Sequence, residues 1–416
     1  MDRPPEEVLK ERAKRVEAAV HLEEPDKVPF VPFPHLFPAR YSGMTLQEFM
    51  YDYDKAKAAA KKFMIDFEPD MGVNPIPLQV FGPVLEILDY RQVKWPGHGV
   101  SENTPFQYVE GEYLQVDEYQ AFLSDPTDFM LRKYLPRICG ALSPLRMLPD
   151  LSSQYYLRLA RSVAIFGLPE VAGVLKTLLK AGEEAQRMLR KTVEFGQEMK
   201  DLGFPLMFGG AVFSPFDFWG NHFRGTRGVM LDLYRHPEKI LRVVELILPK
   251  LVESTVAATK MTGSPYVFIP LHKGIDGFMS PKQFERFYWP GLRELMMGLI
   301  REELVPCPLW EGNCVSRLEV IGDVPKGKAI YWFEQTDLFR AKEVLGDTVC
   351  LRGNVPASLL VTGSPQQVED YCKELIDRVG KNGGFIMDGA AGIPEEARPE
   401  NVRVMERVTR EYGTYH

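Results

Sequence analysis

Between Val305 and Asp388 the chain repeats one plan, a short apolar run that ends on a polar side chain at the start of a turn. Leu309-Trp310-Glu311-Gly312-Asn313 follows it first, then Trp332-Phe333-Glu334, then Cys350-Leu351-Arg352-Gly353-Asn354. Stretches with helical spacing separate these runs, and alternating strand and helix with short connections implies a parallel sheet. In a closed barrel of parallel strands, side chains at the C-terminal strand ends carry the chemistry, so the polar residues ending these runs read as one site.

The rest of the chain extends the pattern. Helical spacing is expected over residues 4 to 20, 45 to 68, 169 to 201 and 237 to 261, and a strand over 204 to 210. Strands at 265 to 271, 304 to 310, 328 to 333, 347 to 352 and 384 to 388 then alternate with helices at 281 to 301, 315 to 321, 337 to 344 and 365 to 380. The proline-broken run from Lys27 to His35 suits a first barrel strand or an edge strand. No glycine-rich nucleotide fingerprint follows any strand, which favours a closed barrel over a dinucleotide-binding sheet. The expected architecture is α/β, a (β/α)8 TIM-type barrel, with residues 1–110 as a helical and aromatic extension contributing to the barrel mouth and 111–416 as the remainder of the same domain.

Alternation assigns side chains to faces. Cys307, Leu309 and Glu311 share one, as do Ile330, Trp332 and Glu334, Cys350 and Arg352, Ile386 and Asp388, and Phe268, Pro270 and His272. If these faces point inward, His272, Glu311, Glu334, Cys350, Arg352 and Asp388 ring one cavity. Glu311 is the leading catalytic candidate. Arg352 and Asp388 join it in catalytic roles, and a barrel Arg must be paired, for which Glu334 and Asp388 are available. Asn313, Asn354 and Trp219 are expected to contact a cofactor. Trp219 belongs to a cluster with Phe213, Phe216 and Phe218 that could stack a flat ring.

Overall charge and composition, taken over the whole chain, give no pull toward several classes of partner. The net charge of -7 over 416 residues offers no basic field for nucleic acid or an anionic membrane. The five cysteines are scattered and odd in number, as in a reduced cytoplasmic protein. No run approaches the ~20 apolar residues of a membrane span.

The pattern Phe278-Met279-Ser280-Pro281 with Phe284 and Pro290, then Glu311-Gly312-Asn313, Arg352-Gly353-Asn354-Val355-Pro356, Gly383-Gly384-Phe385-Ile386, Gly392-Ile393-Pro394 and Pro399-Glu400-Asn401-Val402, resembles the uroporphyrinogen decarboxylase superfamily. Arg224-Gly225, Asp232-Leu233 and Pro237-Glu238 fit as well, and the likeness runs from about 205 to 413. The resemblance implies a distorted (β/α)8 barrel and one of two activities, decarboxylation or corrinoid-linked methyl transfer. Decarboxylases of the family carry an arginine-rich N-terminal segment that grips tetrapyrrole carboxylates, whereas Phe30 to Arg40 holds one arginine among apolar residues.

The thiol-methylating members hold zinc with a His-x-Cys pair and a distal Cys. Here Leu309 and Glu311 stand at the pair, and Ala390 or Ala391 at the distal position. The likeness to methyltransferases that cleave aryl methyl ethers implies an oxygen-rich zinc site instead, drawn from His272, Glu311, Glu334 and Cys350, with Cys314 and Cys307 weaker. The expected reaction moves the methyl group of a methoxylated aromatic to the Co(I) corrinoid of a partner protein, with metal or acid activating the ether oxygen. A methyl-corrinoid:thiol methyltransferase or a uroporphyrinogen decarboxylase-like enzyme are the alternatives.

Overall fold

In a computed structural model that describes residues 3–149 and 155–415, six parallel strands run in chain order around a barrel: β4 (Phe208–Ala211), β5 (Tyr266–Leu271), β6 (Val305–Trp310), β7 (Ile330–Phe333), β8 (Cys350–Val355) and β9 (Phe385–Gly389). A separate small sheet is formed by β1 (Val93–Pro96), β2 (Gly99–Val100) and β3 (Gln107–Tyr108). Two irregular segments close the ring. The Val31 N–H donates to Met387 O at 3.1 Å and the Met387 N–H to Pro29 O at 2.9 Å, which joins residues 29–31 to β9. Asp70 N–H then donates to Phe30 O at 2.8 Å, and Gly72 N–H to Pro205 O at 2.9 Å, which joins 70–72 to both neighbours. Six strands and two segments make eight staves. Pro29, Pro32 and Pro34 lack N–H donors, so the first stave pairs at single bridges in place of a continuous ladder.

The barrel interior is layered, and the layers contain most of the side chains that alternation assigns to one face. At the N-terminal strand ends Tyr266, Cys307, Ile330, Cys350 and Ile386 meet Val31, Met71 and Met207. Above them Phe33, Val73, Leu309 and Trp332 pack with Phe208 and Phe268. Helix Pro5–Val20 closes the bottom, with Val16, Ala19 and Val20 against the lower layer. Arg15 is anchored there by Asp26 and Asp70. Residues 3–110 thus supply two staves and a bottom plug, because the apolar stripe of the first helix finds its partners at the strand N-termini.

The long helix Pro169–Asp201 and the helix Pro237–Lys260 lie where the sequence pattern predicts them. The predicted helices at 281–301 and 365–380 each contain a five-residue stretch of wider π-type turns, Phe284–Tyr288 and Ile376–Gly380. No single described helix is long and apolar enough to cross a membrane, although Tyr156–Gly167 and Pro169–Asp201 pass such a test together across a 73° bend.

Candidate active site

The ends of β5, β6 and β7 bring His272, Glu311 and Glu334 to the barrel mouth on adjacent staves. His272 Nε2 lies 3.3 Å from Glu311 Oε1. Its Nδ1 lies 2.7 Å from Asn221 Nδ2, and Asn221 Oδ1 in turn accepts from the Lys273 ammonium. Lysine can only donate, so the Asn221 amide must present its NH2 to the imidazole, and Nδ1 of His272 is the acceptor in that bond. The neutral ring therefore carries its proton on Nε2, toward Glu311. Asp217, wholly buried, fixes the turn from below: its carboxylate accepts from the backbone N–H groups of His272 and Lys273 at 3.2 and 2.9 Å and from Ser214 at 2.8 Å.

Electrostatics separate the basic groups. Burial opposes the charge of His272, but the bond to Glu311 and the charges of Asp217 and Glu311 outweigh it and leave the pKa above the ordinary imidazole value. His222, flanked by Phe213 and Phe218 at 5.0 and 5.6 Å, is pushed down to about 4 by burial and by repulsion from His272 and Lys273. Lys273 is also lowered by burial, with Asp217 opposing. The mouth thus pairs one acid-competent imidazole with one that stays neutral. Phe213 adds an aromatic edge 5.7 Å from His272.

Glu334 is committed to the loop, accepting from the Gly312 N–H at 2.6 Å. Gly312 adopts φ +74°, a conformation that glycine enters without steric cost, and this turns its N–H toward Glu334. Glu334 and Asn354 also line a cavity of about 480 Å³ beside the mouth, with Thr336, Tyr371 and Ala390. Asn354 donates to Thr336 O at 2.9 Å and accepts from Tyr371 at 3.2 Å, while Asn313 Oδ1 caps the following turn through the Val315 N–H at 3.0 Å.

Four expected site residues are placed elsewhere. Cys350 sits wholly buried in the lower layer, at the opposite end of its strand from the mouth; alternation gives its face but not its depth. Arg352 and Asp388 form a fully buried ion pair at 2.9 Å. Arg352 also donates to Val31 O at 2.8 Å, and Asp388 accepts from the Phe33 N–H at 3.1 Å, so the pair ties the first stave to the last in place of facing a substrate. Trp219 is buried against Tyr119, Phe122 and Phe223 and spends its indole N–H on Tyr119 at 2.9 Å, because a large ring on this short helix gains more from core packing than from the mouth.

The expected zinc set does not fit these positions. Glu334 serves Gly312, Cys350 is remote, and among the described residues no group of three or more His, Cys, Asp or Glu side chains has the arrangement of a metal site. Ala390 or Ala391, where the resemblance has a distal Cys, brings no side-chain ligand. Sequence pattern does not mark Asn221, His222 or Lys273: Lys273 is notable only for following His272, and Asn221 and His222 lie on the π-type turn Gly220–Arg224 and carry no periodic signal.

The uroporphyrinogen decarboxylase (URO-D) family pattern matches residues 172–412, more than half of the chain. The chain belongs to the URO-D family. The uroporphyrinogen decarboxylase of Pseudoalteromonas atlantica is 27% identical over 183 residues, 42% of this chain and 50% of that one, and that of Pseudoalteromonas translucida is 26% identical over 182 residues with the same coverage. The matched region spans about half the length of these curated relatives. A methyltransferase from Methanosarcina mazei shares the fold, with a TM-score of 0.64 over 96% of this chain and 98% of that one at 14% identity. URO-D family membership supports an enzyme.

Proposed function

We propose that this URO-D family protein transfers the methyl group of a methoxylated aromatic to the reduced corrinoid of a partner protein, with acid assistance at the ether oxygen. The observation that carries the reading is the His272–Glu311 pair at adjacent strand ends, with the imidazole pKa raised. The step expels a phenolate from an unactivated methyl ether, and a positioned acid that protonates this oxygen lowers the barrier. As the methyl carbon bonds to the acceptor, the C–O bond breaks with its electron pair on oxygen, and the proton held between His272 and Glu311 passes to that oxygen. Lys273 and Asn221 hold the imidazole in orientation, and Phe213 supports an aromatic ring beside it. The corrinoid, as acceptor, supplies the nucleophile.

Tetrapyrrole decarboxylation is a second reading, favoured by the likeness to uroporphyrinogen decarboxylases. Against it, the Phe30–Ala39 segment buries Phe30, Phe33, Leu36 and Phe37 where a polycarboxylate would need arginines, and Arg352 is consumed by Asp388. The test is cob(I)alamin methylation by methoxylated benzenes set beside uroporphyrinogen turnover. Methylation that falls in Glu311→Gln supports the proposal, and porphyrinogen turnover without methylation overturns it.

A further inference from the structure

Helix Tyr156–Ser162 and the 3-10 turn Val163–Gly167 bury none of their residues. They nonetheless expose Tyr155, Tyr156, Leu157, Leu159, Val163 and Phe166, with Tyr156 at 78% and Leu157 at 59% of full exposure. A segment this short gains little helical stability alone, and a contiguous exposed apolar strip of this kind marks a binding surface. Its charge is as distinctive. From Tyr155 to Lys180 the chain carries Arg158, Arg161, Lys176 and Lys180 against the single acid Glu170, inside a protein of net charge -7. None of those four bases has an ion-pair partner among the described residues, whereas further along the same helix Arg187 pairs with Glu184 at 3.9 Å and Lys191 with Asp54 at 2.9 Å.

We propose that Tyr155–Leu168 is an interfacial anchor that seats the protein on an anionic lipid surface. Tyr156–Gly167 reaches about 18 Å as a helix, short of the ~30 Å hydrocarbon core, and the 73° bend at residue 168 sets it off from the long helix Pro169–Asp201. It therefore lies in the membrane plane, with Tyr155, Tyr156, Leu157 and Phe166 in the acyl boundary and Arg158 and Arg161 at the headgroups. Anionic headgroups neutralise Arg158, which lies 5.7 Å over the Tyr155 ring, and Arg161, neither of which has an ion-pair partner among the described residues. A second copy seated strip on strip would not, because the contact would gather four arginines with no acid between residues 155 and 169 of either copy.

The test is co-sedimentation of the full chain with vesicles of phosphatidylcholine alone and of phosphatidylcholine containing phosphatidylglycerol. Binding to the anionic vesicles that weakens with salt is expected. The R158Q/R161Q variant should lose about thirtyfold in partitioning, at ~1 kcal/mol per basic residue, and Y156S/L157S should lose most of the rest. Equal binding to both vesicles, no binding, or self-association abolished by Y156S/L157S without vesicle binding each overturns the proposal. If a variant fails to fold, the lipid and salt dependence of the wild type decides.

Discussion

Arg352→Met isolates the energetics of barrel closure. Wild-type Arg352 sets Nε and an NH2 group on Asp388 at 3.0 and 2.9 Å, donates to Val31 O at 2.8 Å and lies 4.2 Å over the Trp332 ring. Methionine keeps much of the volume but leaves a buried carboxylate with only the Phe33 and Gly389 N–H groups, at 3.1 and 2.6 Å. Removing one partner of a buried pair costs about 3–5 kcal/mol. Burial already lifts the wild-type Asp388 pKa to about 6 against the pull of Arg352, so the variant's value rises further. The folded state then binds a proton that the unfolded carboxyl, near ~3.9, has released, and stability rises as pH falls through that interval. Urea unfolding followed by tryptophan fluorescence should show the full loss at pH ~8, a smaller one near pH ~5, and recovery at pH ~8 when Asp388→Asn is added. A loss below ~1 kcal/mol at pH ~8, or no recovery in the double variant, refutes the assignment of this pair to barrel closure.

Glu311→Gln removes the charge that helps raise His272 and leaves a weaker, neutral hydrogen bond, so the His272 titration followed by NMR should move to lower pH and any alkaline fall in turnover should move with it. Asn221→Leu breaks the link that orients the imidazole; turnover should fall by about 10²-fold or more, with a changed His272 ring-nitrogen signature and an unchanged unfolding midpoint. Cys350→Ala lies in the lower barrel layer and should cost about 1 kcal/mol of stability while leaving turnover and substrate affinity as they are. Gly312→Ala must hold φ near +74° with a side chain present, and should cost about 1–2 kcal/mol and loosen Glu334 from the 312 N–H.

The regular part of the barrel was legible because each strand carries its own apolar run. Residues 265 to 271 against the observed Tyr266–Leu271, and 384 to 388 against Phe385–Gly389, differ only at their ends. The first stave is legible in the run from Lys27 to His35, although its prolines reduce it to single bridges; the second, at 70–72, spans too few residues to carry a strand pattern. His272 and Glu311 were legible because they end strands, and position along a strand is written in its length. Alternation is silent about depth, so it puts Cys350 and Arg352 in the same ring as Glu311 although they lie lower in the barrel. Asn221 and His222 come from a turn whose geometry is imposed by tertiary packing, with no local pattern to announce it.

The central claim, an acid pair assisting methyl transfer, is tested most directly by single-turnover absorbance of cob(I)alamin mixed with a methoxylated benzene and the protein. The account predicts methyl-corrinoid formation with wild type and a loss of about 10²–10⁴-fold in His272→Gln, the range of a lost general acid. Equal rates in the two proteins would remove His272 from the chemistry, and no methylation alongside porphyrinogen decarboxylation would contradict the account as a whole.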